Sequence, residues 1–285
     1  MTVPFAKMHG IGNDFILFDR ITTPSISIES IQHNVKHLCD RHFGIGSDGV
    51  LVVESSQEFG VDFTYRMFNP DGSEAEMCGN GIRCFGKWVF EQGHTNNRNF
   101  TVMTKAGLLT LELTGAGTVV EGIVVDMGEP RLSREDIPMT GPSGIAVHEP
   151  LVVDSQNVSI TAVSMGNPHA VYFVKEVQDD SINRIGPNLE KHPRFPHKTN
   201  VHEVHIASEN HLHMLTWERG AGRTLACGTG ACAVAVASHL NQLTGRSVQV
   251  TLAGGDLDIF WDPTNNHVYM TGQADLVCTG HIFLT

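Results

Sequence analysis

The feature that most constrains the fold of this chain is an internal repeat of the pattern Cys-Gly-polar-Gly. The pattern occurs in AEMCGNGIRCF, which contains Cys78, and 149 residues later in LACGTGACAVA, which contains Cys227. A second pair of landmarks, Asn13 in MHGIGNDFILF and Asn167 in VSMGNPHAVYF, has a similar offset of 154 residues. Two landmarks at nearly one spacing predict a duplicated chain with an active site between its related halves.

Short strand-like segments dominate both halves. Segments such as FILFD and VLVVE are short runs of β-branched or alternating residues, and Gly, Pro, Asn or Asp punctuate most of these segments, which is typical of hairpins. Helical patterns occur in SIESIQHNVKHLCDR, GIRCFGKWVFEQG and TGACAVAVASHLNQLTG, and the last two are expected to end at Gly93 and Gly245. Many strands with one central helix per half predict two β-rich α+β domains. The Pro-, Gly- and Ser-rich segment 131–149 marks the expected crossover between them.

Composition excludes several classes of partner. The formal net charge is −12 over 285 residues, so no basic surface is expected for nucleic acid or an anionic membrane. The N-terminal MTVPFAKMHG lacks the apolar core of a signal peptide, and the longest near-apolar run, residues 225–237, is too short to span a bilayer. We therefore expect a cytoplasmic protein whose six cysteines are thiols and not a disulfide framework.

Each repeated motif combines a reactive sulfur with a site for an anion. A thiol at a helix N-terminus lies beside unpaired backbone N–H groups, which stabilise the thiolate. The flanking glycines permit a tight turn and allow a ligand to approach the backbone, where the same amides can hold a carboxylate. A single cysteine is more often a small core residue. The paired, glycine-flanked motif instead indicates function.

Two such motifs in facing halves suit inversion of a stereocentre by two bases. A carboxylate held between the helix ends would present its neighbouring carbon to one sulfur on each side. One thiolate can remove the α-proton while the opposite thiol delivers a proton to the other face. This chemistry needs no cofactor, and none is expected.

Two further patterns do not support a nucleotide or metal site. The GIGSDG segment, Gly44 to Gly49, matches a dinucleotide fingerprint in letters only, because it precedes the strand-like VLVVE where the fingerprint follows a strand and opens a helix. In VHEVHIA the two histidines are one residue short of the HExxH spacing, and no cysteine–histidine cluster has structural zinc spacing. No metal is therefore expected.

The chain resembles the diaminopimelate epimerase family over nearly its whole length. The resemblance rests on seven segments in family order: KMHGIGNDF, DRHFGIGSDG, FNPDGSEAEMCGNGIRC, MGNPH, RFPHKTN, ERGAGRTLACGTGACA and GGDLDI. It implies a pyridoxal-phosphate-independent enzyme that converts LL-2,6-diaminopimelate to the meso form in lysine and peptidoglycan precursor synthesis.

The same resemblance implies an architecture. Two pseudo-symmetric β-barrel-like domains each wrap around a central helix, and the active site lies in the cleft between them. Residues 1–128 with 273–285 are expected to form the N-terminal domain, and residues 129–272 the C-terminal domain. A homodimer is expected, as is reversible inactivation when the two sulfurs oxidise to a disulfide.

The resemblance also implies roles for individual residues, each assigned by its position in a matching motif. Cys78 and Cys227 match the two catalytic bases of the family. The α-carboxylate is expected at the helix N-termini formed by Gly79, Asn80, Gly228 and Thr229. The remaining substrate contacts match Asn13, Asn69, Asn167, Asn200, Glu218 and Arg219. His169 and Glu218 match residues that tune the cysteines.

Two positions depart from the family, and three other functions stay open. Some relatives carry Gln where Gly49 stands, and Cys278 replaces an aromatic residue found near the terminus. One alternative is another two-cysteine racemase, acting on histidine, proline or hydroxyproline. The others are a thiol oxidoreductase that cycles the two cysteines and a non-catalytic binding protein.

Overall fold

The computed structural model describes residues 2–284, which divide into two compact units. The first unit comprises the chain up to Val125 together with the segment from Gly272 onward. The second comprises Asp126–Thr271. Each unit contains one mixed sheet and two helices, so the predicted α+β class is confirmed.

The first unit contains nine strands and two helices. Its strands are β1 (Thr2–Gly10), β2 (Asn13–Asp19), β3 (Gly49–Ser55), β4 (Phe63–Phe68), β5 (Glu74–Ala75), β6 (Asn99–Thr104), β7 (Gly107–Thr114), β8 (Gly122–Asp126) and β18 (Asp275–Phe283). Its helices are α1 (Ile28–Cys39) and α2 (Gly79–Glu91). The C-terminal strand β18 pairs antiparallel with β1, so both ends of the chain belong to this unit.

The second unit also contains nine strands and two helices. Its strands are β9 (Glu149–Val153), β10 (Gln156–Ser164), β11 (Pro168–Val174), β12 (Asn200–Ser208), β13 (His211–Glu218), β14 (Gly222–Thr224), β15 (Ser247–Leu252), β16 (Gly255–Trp261) and β17 (Val268–Gly272). Its helices are α3 (Asp179–Glu190) and α4 (Gly228–Leu240).

The order and direction of the strands are the same in the two units. In the first, the order is β18, β1, β2, β3, β4, β6, β7 and β8, with parallel pairs only at β2–β3 and β4–β6. In the second, the order is β9, β10, β11, β12, β13, β15, β16 and β17, with parallel pairs only at β11–β12 and β13–β15. This shared topology agrees with the duplication that the sequence repeat predicts.

One helix in each unit lies inside the curve of its sheet. Helix α2 contacts β1, β2, β3, β4 and β7, and α4 contacts β10, β11, β12, β15 and β16. The other helix, α1 or α3, packs on the outer face. Strand β3 therefore lies between two helices, and its residues from Gly49 to Val53 are all buried. A continuous apolar run is what burial of both strand faces requires.

The two inner helices begin without a side-chain cap. The N-cap of α1 is Ser27, whose hydroxyl accepts a hydrogen bond from the Ser30 N–H, whereas the outer helix α3 begins at Gln178 without such a cap. The N-cap residues of α2 and α4 are Cys78 and Cys227, and neither makes a side-chain capping hydrogen bond.

The structure corrects two expectations about helices. Helix α3 was not predicted, because Gly186 and Pro187 lie inside it and both disfavour a helix interior. A Cβ at Gly186 would lie 2.7 Å from Trp217, so the glycine permits close packing on β13. The expected end of α2 at Gly93 is confirmed by its φ of 73°, whereas α4 ends at Leu240 and Gln242 takes the left-handed conformation there.

Replacement of Arg83 by Met should lower the free energy of unfolding by about 3 kcal/mol, because the fully buried guanidinium would lose its hydrogen bonds to two backbone carbonyls and to Asn80 Oδ1. The guanidinium donates to the Gly79 carbonyl at 3.0 Å and the Gln273 carbonyl at 3.2 Å. Urea unfolding followed by circular dichroism measures the change. Lys36→Met on the exposed face of α1 serves as the control and should change stability by less than about 0.5 kcal/mol. Equal effects of the two variants would contradict the prediction.

Candidate active site

In the first unit the sulfur of Cys78 lies at the start of the buried helix α2. Cys78 has extended backbone angles, φ −135° and ψ 121°, and its carbonyl accepts the first helical bond from the Ile82 N–H at 2.8 Å. Gly79 and Asn80 form the first turn and are buried. The sulfur is thus attached to the residue that precedes the positive end of the helix dipole.

Asn13 supplies polar support to this helix start. Its Oδ1 accepts hydrogen bonds from the Cys78 thiol at 3.7 Å and from the Asn80 side chain at 3.0 Å. Its Nδ2 donates to Asp48 Oδ2 at 2.7 Å. These contacts fix the amide orientation and link Asp48 to the cysteine through Asn13. Asn69 lies in the turn after β4, where its side chain donates to Ser73 Oγ at 3.0 Å.

In the second unit Cys227 occupies the same place on α4. Its backbone angles are φ −138° and ψ 100°, and its carbonyl accepts from the Ala231 N–H at 2.9 Å. Gly228 is buried in the first turn, and Cys227 itself is 4% exposed. Thr229 Oγ1 lies 3.8 Å from the sulfur.

The surroundings of Cys227 favour the neutral thiol. Burial raises the pKa of this thiol well above its usual value, and the nearby Glu218 carboxylate acts in the same direction. The backbone N–H of Gly230 and the Thr229 hydroxyl oppose this rise in pKa, because both stabilise the thiolate.

His169 and Asn167 connect to this cysteine through Thr229. His169 Nε2 lies 2.8 Å from Asn167 Oδ1, and Asn167 Nδ2 donates to Thr229 Oγ1 at 3.3 Å. The other nitrogen of His169 lies 2.8 Å from His202 Nε2. Burial lowers the pKa of His169 well below its usual value, with smaller contributions of the same sign from His202 and Arg219. The imidazole is therefore neutral.

Hydrogen bonds of Asn200 connect the ends of strands β11, β12 and β13, the last through Arg219. Asn200 Nδ2 donates to the Pro168 carbonyl at 2.9 Å, and its Oδ1 accepts from the Arg219 N–H at 2.9 Å. The exposed Arg219 side chain donates to the His197 carbonyl at 3.1 Å. The predicted residues of the second unit are thus brought together. In the first unit, Asn13, Gly79 and Asn80 group around Cys78, while Asn69 bonds within its own turn.

Sequence reasoning missed two buried side chains, one under the first turn of each inner helix. Tyr65 lies under α2 and His202 under α4, at the glycine three residues after each cysteine. A Cβ at Gly81 would lie 2.6 Å from the Tyr65 hydroxyl, and one at Gly230 would lie 2.5 Å from His202 Cε1. The matched Cys-x-x-Gly spacing was the signal available in the sequence, since a glycine there permits this close approach.

The position of Gly49 explains why a longer side chain would not fit there. A Cβ at this residue would lie 2.9 Å from the Phe68 carbonyl oxygen and 3.1 Å from the Met67 methyl group. Cys278, the other departure, is exposed on β18 opposite Lys7.

Other features of residues 2–284 bear on the wider expectations. All six cysteines are thiols. No helix in this part of the chain is long and apolar enough to cross a membrane. Within the same residues, no three histidine, cysteine, aspartate or glutamate side chains are placed to hold a metal ion.

The fold defines the class of protein. A phenazine biosynthesis protein of the PhzF family from Bacillus anthracis superposes with a TM-score of 0.73 at 17% identity and covers 100% of both chains. A hydroxyproline epimerase from Agrobacterium vitis, with bound trans-4-hydroxy-L-proline, gives a TM-score of 0.69 at 13% identity and covers 99% of this chain and 92% of that one. The chain thus has the two-domain α+β fold of this group.

Sequence comparison identifies the family. Residues 5–133 and 161–277 match the family model described as diaminopimelate epimerase. The diaminopimelate epimerase of Heliobacterium modesticaldum is 48% identical over 279 residues, which are 98% of this chain and 99% of that protein. The chain belongs to the diaminopimelate epimerase family, a family of isomerases.

Substitution of Gly230 by Ala should lower both thermal stability and activity. The new methyl group would lie 2.5 Å from His202 and 3.0 Å from the Cys227 sulfur, and such overpacking costs about 1–3 kcal/mol. Gly245→Ala is the matched control because no atom lies within 4 Å of its Cβ. Calorimetry and an activity assay would test this. A G230A variant as stable and active as G245A would contradict the prediction.

Acid should destabilise the protein through the buried histidines. Burial lowers the pKa of His202 to about 3, so the unfolded chain binds the proton more tightly than the folded one. The stability that this neutral histidine contributes is present above the unfolded-state pKa of about 6.5 and is lost as the pH falls below it. Between pH 7 and pH 5, His202→Gln should therefore lose about 2 kcal/mol less stability than the wild type. Urea unfolding at both pH values measures this, and equal losses would show that His202 is charged in the folded protein.

Proposed function

We propose that this protein epimerises LL-2,6-diaminopimelate to the meso form, with Cys78 and Cys227 as its two bases. The observation that carries the proposal is the matched placement of the two thiols. Each belongs to the N-cap residue of a buried helix that has no side-chain cap. The sequence similarity to diaminopimelate epimerases over 98% of the chain supports the choice of substrate.

The helix starts would hold the reacting α-carboxylate. The backbone amides of Gly79, Asn80, Gly228 and Thr229 belong to the first turns of the two helices. First-turn amides lack partners within a helix, and the dipole adds positive potential there. A carboxylate held in this way becomes more electron-withdrawing, and the negative charge that develops when the α-proton leaves is stabilised.

The proton transfers balance without a cofactor. In one direction, a thiolate removes the α-proton from one face and becomes a thiol, while the opposing thiol protonates the other face and becomes a thiolate. Protons exchanged with solvent restore the starting state. His169 and Glu218 would tune Cys227, because Glu218 raises its pKa and His169 orients the hydrogen bonds that reach it. Asn13 would do the same for Cys78.

The polar shell would select a substrate with a second amino-acid head. Asn69, Asn167, Asn200, Glu218 and Arg219 offer donors and acceptors suited to an ammonium and a carboxylate. Proline or hydroxyproline has no second amino-acid head to bind these groups, which costs binding free energy. We further propose that the protein is cytoplasmic, and that it forms the homodimer that its family resemblance implies.

Proton exchange in heavy water tests the reaction directly. The reduced wild-type protein should remove the α-proton signal of LL-diaminopimelate in NMR spectra while the meso isomer appears. Exchange with histidine, proline or hydroxyproline, and none with diaminopimelate, would retain the two-base mechanism and replace the substrate. No exchange with any of these, together with disulfide turnover in the presence of a dithiol, would favour a thiol oxidoreductase.

Variants with one cysteine removed should separate exchange from inversion. Cys78→Ala and Cys227→Ala should each lose conversion by about a thousandfold, since one positioned acid or base is gone. Each should still exchange the α-proton of the one stereoisomer that the remaining cysteine faces. Cys84→Ala and Cys232→Ala, which alter buried cysteines further along the same helices, should retain conversion. Full conversion by either single-base variant would contradict the mechanism.

A further inference from the structure

A continuous hydrogen-bond chain runs under helix α4 and ends at the sulfur of Cys227. The chain uses six side chains, four of which are nine-tenths or more buried. Its members, in order, are Thr216, His202, His169, Asn167, Thr229 and Cys227.

The side-chain amide of Asn167 sets the direction at one end of the chain. Its Nδ2 can only donate, so Thr229 Oγ1 accepts at 3.3 Å. Its Oδ1 can only accept, so the His169 nitrogen at 2.8 Å must carry a proton. His169 is therefore the tautomer with hydrogen on Nε2.

This direction continues through the two histidines. A neutral imidazole has one N–H group, so Nδ1 of His169 accepts, and His202 Nε2 donates to it across 2.8 Å. Nδ1 of His202 then accepts from the Thr216 hydroxyl at 3.1 Å. Both rings are completely buried, and such burial disfavours the imidazolium that would break this order.

At the other end, Thr229 Oγ1 accepts from Asn167, so its own proton is available to the Cys227 sulfur at 3.8 Å. When Cys227 is a thiolate, the Thr229 hydroxyl is the donor of this pair. The Glu218 carboxylate near Cys227 raises the pKa of the thiol and so favours retention of the thiol proton. The donors from Thr216 to Asn167 therefore all point toward Thr229, and with a thiolate at Cys227 the same direction extends to the sulfur.

We propose that His202 is a positioning residue for the reaction, because its Nε2–H fixes the tautomer of His169 and thereby aims the Thr229 hydroxyl at Cys227. This inference rests on the proposed function for its kinetic consequence. When Cys227 gives its proton to the substrate, a thiolate forms in a buried site. The Thr229 O–H and the Gly230 N–H are then already oriented to stabilise it.

The tautomers can be measured independently of activity. Long-range ¹H–¹⁵N correlation spectra of the wild-type protein, labelled at histidine, should show both His169 and His202 protonated at Nε2. Protonation of either ring at Nδ1 would overturn the proposal. This result stands whether or not the protein acts on diaminopimelate, so failure of the inference and failure of the proposed function are distinguishable.

A pair of variants tests the kinetic role. The terminal amide of Gln overlaps the Nε2 position of histidine, while the shorter Asn reaches only the Nδ1 position. His202→Gln keeps a donor toward His169 and should keep most of the conversion. His202→Asn keeps only the contact with Thr216, and kcat should fall about tenfold to a hundredfold, the range for loss of one hydrogen bond to a charged group.

Two controls separate positioning from folding. His205→Asn changes a histidine on the same strand but outside the chain and should leave kcat and KM unchanged. Urea unfolding of all three variants shows whether kcat follows stability. Equal loss of kcat in the Gln and Asn variants, or no loss in the Asn variant, would overturn the proposal, and the tautomer measurement decides it if the Asn variant does not fold.

Discussion

The constraint on which the site depends is that a buried helix begins at each of the two cysteines without a side-chain cap. Helix α1 is closed by the Ser27 hydroxyl, whereas α2 and α4 begin at cysteines that make no side-chain cap. Leaving such a cap out costs about 1 kcal/mol of stability. Without that cap, the backbone N–H groups of the first turn remain available to bind an anion at the helix start. Because each helix lies inside the curve of its sheet, these amides are held in place by the core of the unit.

The two units place their cysteines at equivalent positions, but the residues around the two cysteines differ. Both units have the same strand order, and both have a glycine three residues after the cysteine. Under that glycine the first unit has the phenol of Tyr65, and the second has the imidazole of His202. Cys78 has an amide acceptor in Asn13, while Cys227 has the Glu218 carboxylate and the Thr229 hydroxyl. Two thiols at equivalent places thus have different surroundings.

Much of this could be predicted from the sequence. The paired motifs located both helix starts, and the alternation of apolar residues gave the α+β class, because each of these signals is local. Helix α3 was missed because Gly186 and Pro187 oppose a helix locally, and only the packing of Gly186 against Trp217 explains the glycine. His202 could not be assigned to the site either. Its alternating pattern indicates a strand, and which buried strand residue lies under a helix start depends on a parallel pairing between β11 and β12.

The parallel pairing of β11 with β12 also explains how the hydrogen bonds between Thr216 and Cys227 can share one direction. The β11–β12 register places His169 opposite Asn200, two residues before His202, and the β12–β13 register places His202 opposite Thr216. Three members of the chain, Thr216, His202 and His169, are therefore held by strands, while Asn167 lies in the turn before β11 and the last two lie at the start of α4. A buried thiolate is costly to form, and donors that are already oriented need no rearrangement at the moment when charge appears. The sheet register, which is fixed by the apolar faces of the strands, thereby becomes part of the environment that controls the charge on Cys227.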